Sequence, residues 1–321
     1  MRVDEIQRVA VLGAGTMGHG IGQCFAQRKY RVILYDLGQE ILDGAMAKIR
    51  ASLENFAGAG LMDSRDVPDI LAHITTTTQL EKAVKEADYI QETVIEDLKV
   101  KIDLFQRIEE ACPEKAIIAT NTSGFQLTDM NRKVKKKERT LIVHWFNPPQ
   151  IVPAVEIAGG EGSAASVLQT AYELMERLKK VPVRVLKEIP GLVINRIQAA
   201  LFREVLSLLD AGIVDPKDLD RGMIGSLGFR LACLGPVEIA DFGGLDVWCK
   251  VMEELFPVIE RSPEVPEILK EKVHAGRLGV KSGQGFYEYT PESVQARITE
   301  RDRQFLKRLK DFFEAQGNKR S

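Results

Sequence analysis

The chain has 321 residues, 45% hydrophobic and 28% charged, a balance that argues against wholesale disorder, and its length suits two domains. Lys and Arg total 44 against 46 Asp and Glu, so the net charge is −2 and the broad basic footprint of a nucleic-acid binder is missing. No apolar run reaches the roughly 18 residues of a membrane span, so neither nucleic acid nor membrane is expected as a partner.

Short β-rich runs alternate with helical stretches over residues 1–188. The runs are Arg8–Leu12, Arg31–Asp36, Ile74–Thr78, Asp88–Thr93, Ala116–Thr122, Thr140–Phe146, Val152–Ala158 and Pro182–Leu186. Near-continuous apolar runs are what parallel strands covered on both faces need, and alternation with helices predicts a doubly wound α/β sheet. After Glu188 the texture changes. Ile189-Pro190-Gly191 punctuates the chain, and Leu192, Val193, Ile197, Leu201, Val205 and Leu208 fall near helical spacing up to Gly212. Asp241–Glu260 and Pro291–Gln316 also read as helices, and Val280–Tyr289 as a loop with a short strand. The expected organisation is an N-terminal α/β domain over 1–188 and a mainly α-helical C-terminal domain over 189–321. Cys24, Cys112, Cys233 and Cys249 follow neither C-x-x-C nor metal-finger spacing. Free thiols in a reducing, cytoplasmic compartment and no metal site are expected. A strand beginning within the first ten residues leaves no room for a signal peptide.

The sharpest local signal is Gly13-Ala14-Gly15-Thr16-Met17-Gly18, which follows the first strand and opens a helix. Gly13 suits the tight turn, Gly15 a close approach of backbone to pyrophosphate, and Gly18 close packing of helix on sheet. The helix N-terminus offers free N–H groups and partial positive charge. Asp36 ends the next strand, eighteen residues past Gly18, placed to accept from ribose hydroxyls. A 2′-phosphate would meet its carboxylate, with only Leu37 and Gly38 following. The loop, strand and acid together predict a Rossmann-type sheet that binds NAD rather than NADP.

Of four histidines, His19 lies on the first turn after the glycine loop, and His73 and His274 lie in polar helical surroundings. His144 ends the strand Thr140–Phe146, and in open α/β sheets ligands bind outside the carboxyl ends of the strands. Glu156 is an acid inside an apolar strand twelve residues later. Buried carboxylates are costly unless paired. The turn at Asn147–Gln150 would return this strand beside the first, letting Glu156 fix the imidazole tautomer. A neutral imidazole beside a nicotinamide suits alcohol oxidation, His144 taking the hydroxyl proton while hydride leaves carbon.

The segments VAVLGAGTMGHGI, ADYIQETVIEDLKVK, ATNTSGFQLTD, HWFNPPQIVPAVEI, IPGLVINRI and GVKSGQGFYEY occur in the order of the 3-hydroxyacyl-CoA dehydrogenase family, which the chain resembles over nearly its whole length. The resemblance implies His144 as base, Glu156 as its acidic partner, and Ser123 as a hydrogen-bond partner of the substrate oxygen. It implies that Asn147 and Asn195 line the substrate and nicotinamide pocket, and that Glu96 and Lys101 lie near the nicotinamide half of NAD. Thr16, Met17 and Asn121 join the glycines and Asp36 as expected cofactor contacts. Asn195 opens the second domain, so the pocket is expected between domains. The family's helical domain also implies a homodimer.

Two features separate the chain from relatives that handle CoA. Their helical insert after the second strand carries a serine followed by several lysines. Here the stretch Arg50–Leu61 keeps Ser52 but lacks the cationic cluster after it. Ile90–Glu92, Pro148-Pro149 and the extension past Tyr289 look like relatives acting on carnitine, gulonate or vitamin B6 catabolites. The leading expectation is NAD-dependent oxidation of a 3-hydroxyacyl-CoA, such as 3-hydroxybutyryl-CoA. The alternatives are the same reaction on a free hydroxy acid, or a non-catalytic, crystallin-like dinucleotide binder. A β-hydroxyacid dehydrogenase of the 6-phosphogluconate type shares the glycine loop but works with a lysine, which the His144/Glu156 arrangement disfavours.

Overall fold

The computed structural model describes residues 1–318. Eight strands form one sheet: β1 (Arg8–Leu12), β2 (Arg31–Tyr35), β3 (Ile74–Thr77), β4 (Tyr89–Glu92), β5 (Ile117–Thr120), β6 (Thr140–Trp145), β7 (Ala154–Ala158) and β8 (Val181–Val185). Their order is β3-β2-β1-β4-β5-β6-β7-β8. Neighbours from β3 to β6 run parallel. β7 then pairs antiparallel with β6, and β8 parallel with β7. This is the Rossmann-type doubly wound sheet, and the order reverses between β1 and β4, where such sheets open a crevice for ligands. Strands β4, β5 and β6 are buried at every position, as parallel strands covered on both faces must be.

Helices α1 (Gly18–Ala26), α2 (Gln39–Gly58), α3 (Val67–Ala72), α4 (Leu80–Val84), α5 (Leu98–Ala111), α6 (Leu127–Met130) and α7 (Ala165–Arg177) cover the two faces. One core layer gathers Ile21, Phe25, Leu42, Ile49, Tyr89 and Trp145; the other gathers Leu80, Ile90, Phe105, Ile108 and Met130. Asp97 caps α5 by accepting from Val100 N–H at 2.9 Å, satisfying a donor that a helix start leaves unpaired.

Helix α8 (Ile194–Asp210) leads into α9 (Pro216–Met223), α10 (Phe229–Leu231), α11 (Pro236–Gly243), α12 (Leu245–Leu255), α13 (Glu267–His274) and α14 (Pro291–Asn318). The single helix expected over Asp241–Glu260 is two helices. Gly244, at φ +84°, breaks the chain between α11 and α12, a conformation no helix interior accepts. Isolated bridges join Gly279 to Gln284 and Gln284 to Glu288. Among the described residues, no single helix is long and apolar enough to cross a membrane.

The chain divides into two compact units, one of residues 1–195 with those from Thr299 onward, the other Arg196–Ile298. Sequence reasoning assigned everything after residue 188 to the second domain. The end of α14 instead packs into the first unit, where Leu306 and Leu309 bury with Phe56 of α2 and Ile151. An apolar stripe at helical spacing, Leu306, Leu309 and Phe313, found a matching apolar patch distant in sequence.

Candidate active site

β1 ends at Leu12 and the chain turns through Gly13 at φ +97°. The Gly13 N–H donates to Tyr35 O at 2.8 Å. A Cβ on Gly13 would stand 2.7 Å from Thr93 O, and one on Gly18 would stand 1.7 Å from Gly13 O. Both positions demand glycine. A Cβ on Gly15 would meet nothing within 4 Å; that open space lies above an exposed backbone. No side chain caps the start of α1 at Met17, which leaves its first-turn N–H groups for an anion. The residues fit a dinucleotide pyrophosphate. Thr16 is exposed and Met17 half-buried, Met17 packing on the core.

Asp36 follows β2 and buttresses this loop. Its Oδ2 accepts from Ala14 N–H at 2.8 Å and its Oδ1 from Leu37 N–H at 2.7 Å. A carboxylate has about four lone-pair sites, so acceptor capacity remains. His19 reaches back to Gly15 O with Nδ1 at 2.7 Å. Burial pushes its pKa down against the opposing pull of that bond, and Lys48 adds to the fall. The ring is therefore neutral near pH 7 and donates Nδ1–H to the loop.

The antiparallel turn between β6 and β7 sets His144 directly opposite Glu156 in register. His144 Nδ1 lies 2.9 Å from Glu156 Oε2, and Nε2 has no hydrogen-bond partner among the described residues. Both side chains are buried. The other carboxylate oxygen accepts from Val193 N–H at 2.8 Å and Ile194 N–H at 2.9 Å, at the start of α8. Burial pushes the Glu156 carboxyl up, but hydrogen bonds from His144, Ile194 and Val193 together pull it below its ordinary value. The Phe146 ring packs edge-on to the imidazole, centroids 4.6 Å apart.

Ser123 follows β5, and its Oγ accepts from Asn195 Nδ2 at 2.9 Å. Ser123 O accepts from Gly191 N–H at 3.1 Å. Asn121 spends its side-chain oxygen on Trp145 N–H at 2.8 Å, tying the end of β5 to β6 beside His144. Asn147 is exposed, before a cis bond to Pro148. The structure thus joins His144 to Glu156 and Ser123 to Asn195. The Asn147 side chain has no hydrogen-bond partner among the described residues.

Lys101 sits on α5, fully buried, with Nζ 2.7 Å from Glu92 Oε1 and 3.2 Å from Glu96 Oε2. Glu92 also accepts from Thr120 Oγ1 at 2.6 Å and Val94 N–H at 2.7 Å. Thr122 Oγ1 donates to Glu96. Glu92 escaped sequence reasoning as a site residue. The signal was present, since an acid closing an apolar strand is the same cue that singled out Glu156. Lys180 escaped too. It is buried, donates to Pro149 O at 2.5 Å and Val152 O at 2.9 Å, and so holds the turn that carries β7 back; a lysine in a helical tail gives no such cue.

The family model for the NAD binding domain of 3-hydroxyacyl-CoA dehydrogenase matches residues 8–189, and that for its C-terminal domain matches residues 191–289. The chain is 31% identical over 303 residues to 5-formyl-3-hydroxy-2-methylpyridine 4-carboxylate 5-dehydrogenase of Mesorhizobium japonicum, covering 94% of this chain and 96% of that one. A crystal structure of an enzyme of that name, described as an NAD+-dependent dismutase, superposes with TM-score 0.88 at 31% identity, over 94% of this chain and 96% of that one. The structure of (S)-3-hydroxybutyryl-CoA dehydrogenase from Ralstonia eutropha superposes with TM-score 0.73 at 30% identity, over 89% and 100%. With its sheet, glycine loop and both halves matched, the chain belongs to the 3-hydroxyacyl-CoA dehydrogenase family of NAD-dependent oxidoreductases.

Proposed function

We propose that this protein oxidises the hydroxyl of a small free hydroxy acid, with His144 as general base. The observation that carries the reaction is the 2.9 Å contact of His144 Nδ1 with buried Glu156. Glu156 accepts a hydrogen bond from Nδ1–H, so the lone pair sits on Nε2. Nε2 removes the hydroxyl proton, and the carboxylate offsets the imidazolium that results. Bound NAD supplies the hydride acceptor. Asn195 Nδ2 donates to Ser123 Oγ, which leaves the serine's own hydrogen to donate to the substrate oxygen. A pyrophosphate on the glycine loop and a ring near His144 require the dinucleotide to cross the carboxyl ends of β4 and β5. Glu96 and Lys101 lie on that path, as does Asn121, while Asp36 is placed for the ribose and Asn147 for the pocket rim.

The sequence put a CoA thioester first. Two observations favour the free acid. A CoA nucleotide carries phosphate charge that cations on the insert would offset, yet the end of α2 presents Phe56, sealed under Leu306, Leu309 and Ile151. The likeness to the pyridine carboxylate dehydrogenase, TM-score 0.88, also exceeds that to the hydroxybutyryl-CoA enzyme. We further propose a homodimer: apolar residues of the second unit, such as Phe229, Val237 and Phe242, are exposed, and a second copy is the partner that would cover them.

The test is NADH absorbance with carnitine, gulonate, 3-hydroxybutyrate and acetoacetyl-CoA as a panel. Turnover on a free acid alone supports the proposal. Turnover on the thioester alone overturns its substrate half, and turnover on none favours the non-catalytic reading. On the active substrate, His144→Gln is expected to lower kcat by about 10²–10⁴-fold with NAD affinity nearly unchanged. Near-normal turnover removes His144 from the mechanism.

A further inference from the structure

The end of β4 holds two carboxylates on one ammonium. Glu92 and Glu96 both reach Lys101 Nζ, at 2.7 and 3.2 Å. Taken as charges the trio sums to −1. Its members are not equivalent. Glu96 is 48% exposed at the side chain, whereas Glu92 is 0% and Lys101 1%. Every oxygen of Glu92 is engaged, by Lys101, Val94 N–H and Thr120 Oγ1. Being fully buried as well, Glu92 does not touch a ligand.

The trio lies beside the glycine loop. Thr93, next after Glu92, donates from Oγ1 to Gly13 O at 3.1 Å. On the other side Asn121 N–H donates to Glu92 O at 2.8 Å, and Asn121 Oδ1 accepts from Trp145 N–H at 2.8 Å, one residue from His144. The path from pyrophosphate to base crosses this charge. An oxidised nicotinamide ring carries a positive charge and a reduced one does not. A fixed negative charge in a water-poor site acts strongly on that difference and is screened little by salt.

We propose that Glu92, through its charge and not through contact, sets the preference of the site for oxidised over reduced cofactor. This rests on the dinucleotide path proposed above. Glu92 supplies the second negative charge, which Lys101 alone does not cancel once Glu96 is present. Substituting it leaves Lys101 and Glu96 as a neutral pair.

The experiment measures dissociation constants of NAD+ and NADH, by NADH fluorescence and competition, for the intact protein and variants. Glu92→Gln is expected to weaken NAD+ by about tenfold while NADH changes by less than about twofold. Glu92→Asp, which keeps the charge, is expected to restore the ratio even where stability falls. A merely structural role moves both constants together, and that result, or no change in either, overturns the inference. Where Glu92→Gln fails to fold, Glu92→Asp carries the test, and an NAD+/NADH ratio that shifts there although the charge is kept overturns the inference. Failure here with turnover still lost in His144→Gln leaves the proposed reaction standing. Near-normal turnover in His144→Gln removes that reaction without altering these binding constants.

Discussion

The two units of the chain are built differently. The first buries Leu12, Phe25, Leu42, Ile49 and Trp145 almost completely, the close-packed interior expected of a stable domain. In the second, no residue from Arg196 to Ile298 is buried. Yet its helices are amphipathic, and Phe229, Val237 and Phe242 are 70%, 76% and 78% exposed. Secondary structure alone does not stabilise a short helix in water; burial of its apolar face does. The first unit buries its core within one chain. The second leaves apolar faces exposed, the faces that the proposed second copy would cover.

That contrast is tested by substituting both units. In the first, Leu42→Ala is expected to cost about 2–5 kcal/mol, read by denaturant unfolding. In the second, Phe229→Asp with Phe242→Asp is expected to convert the proposed dimer to monomer in sedimentation and to lower the Tm. On a truly bare surface the pair would act like ordinary exposed positions, within about ±0.5 kcal/mol each. An unchanged sedimentation coefficient and Tm would break the comparison.

Two smaller effects sharpen the account of the first unit. Asp36→Ala removes the carboxylate that holds Ala14 N–H and is expected to reduce NAD selectivity over NADP by about tenfold. Measured affinities for both cofactors check it; an equal fall in each assigns Asp36 to loop structure alone. Glu156 gives a pH effect. Its folded carboxyl lies below the ordinary 4.5, because bonds from His144, Ile194 and Val193 outweigh burial. A depressed carboxyl stabilises above its unfolded value and loses that contribution as pH falls through the folded one. The Tm advantage of the native protein over Glu156→Gln is thus expected to hold near neutrality and to shrink below about pH 4.5. A gap independent of pH would detach the ionised carboxylate from stability.

The phosphate loop was legible because its information is local. Gly13 and Gly18 are required by contacts within the turn or with the adjacent strand, and Asp36 closes the next strand. His144 and Glu156 were legible for a different reason: a polar group in an apolar strand must find a partner. The same rule holds for Glu92, but its partner Lys101 lies on a helix, and periodicity does not tell which sheet end a helix side chain will meet. Gly243-Gly244 carried the break between α11 and α12, but a helical reading across it needed only the apolar spacing on either side.

By itself the sequence determined the strands, the glycine turn, the acid that follows it and the change of texture near residue 189, because each depends on residues close together along the chain. Only the tertiary structure decided that β7 lies antiparallel in a register setting Glu156 against His144, that Glu92 and Glu96 share one buried lysine, and that α14 returns to cover α2. Those outcomes depend on strand order and on which apolar patches meet, and burial makes them compulsory only after distant segments come together.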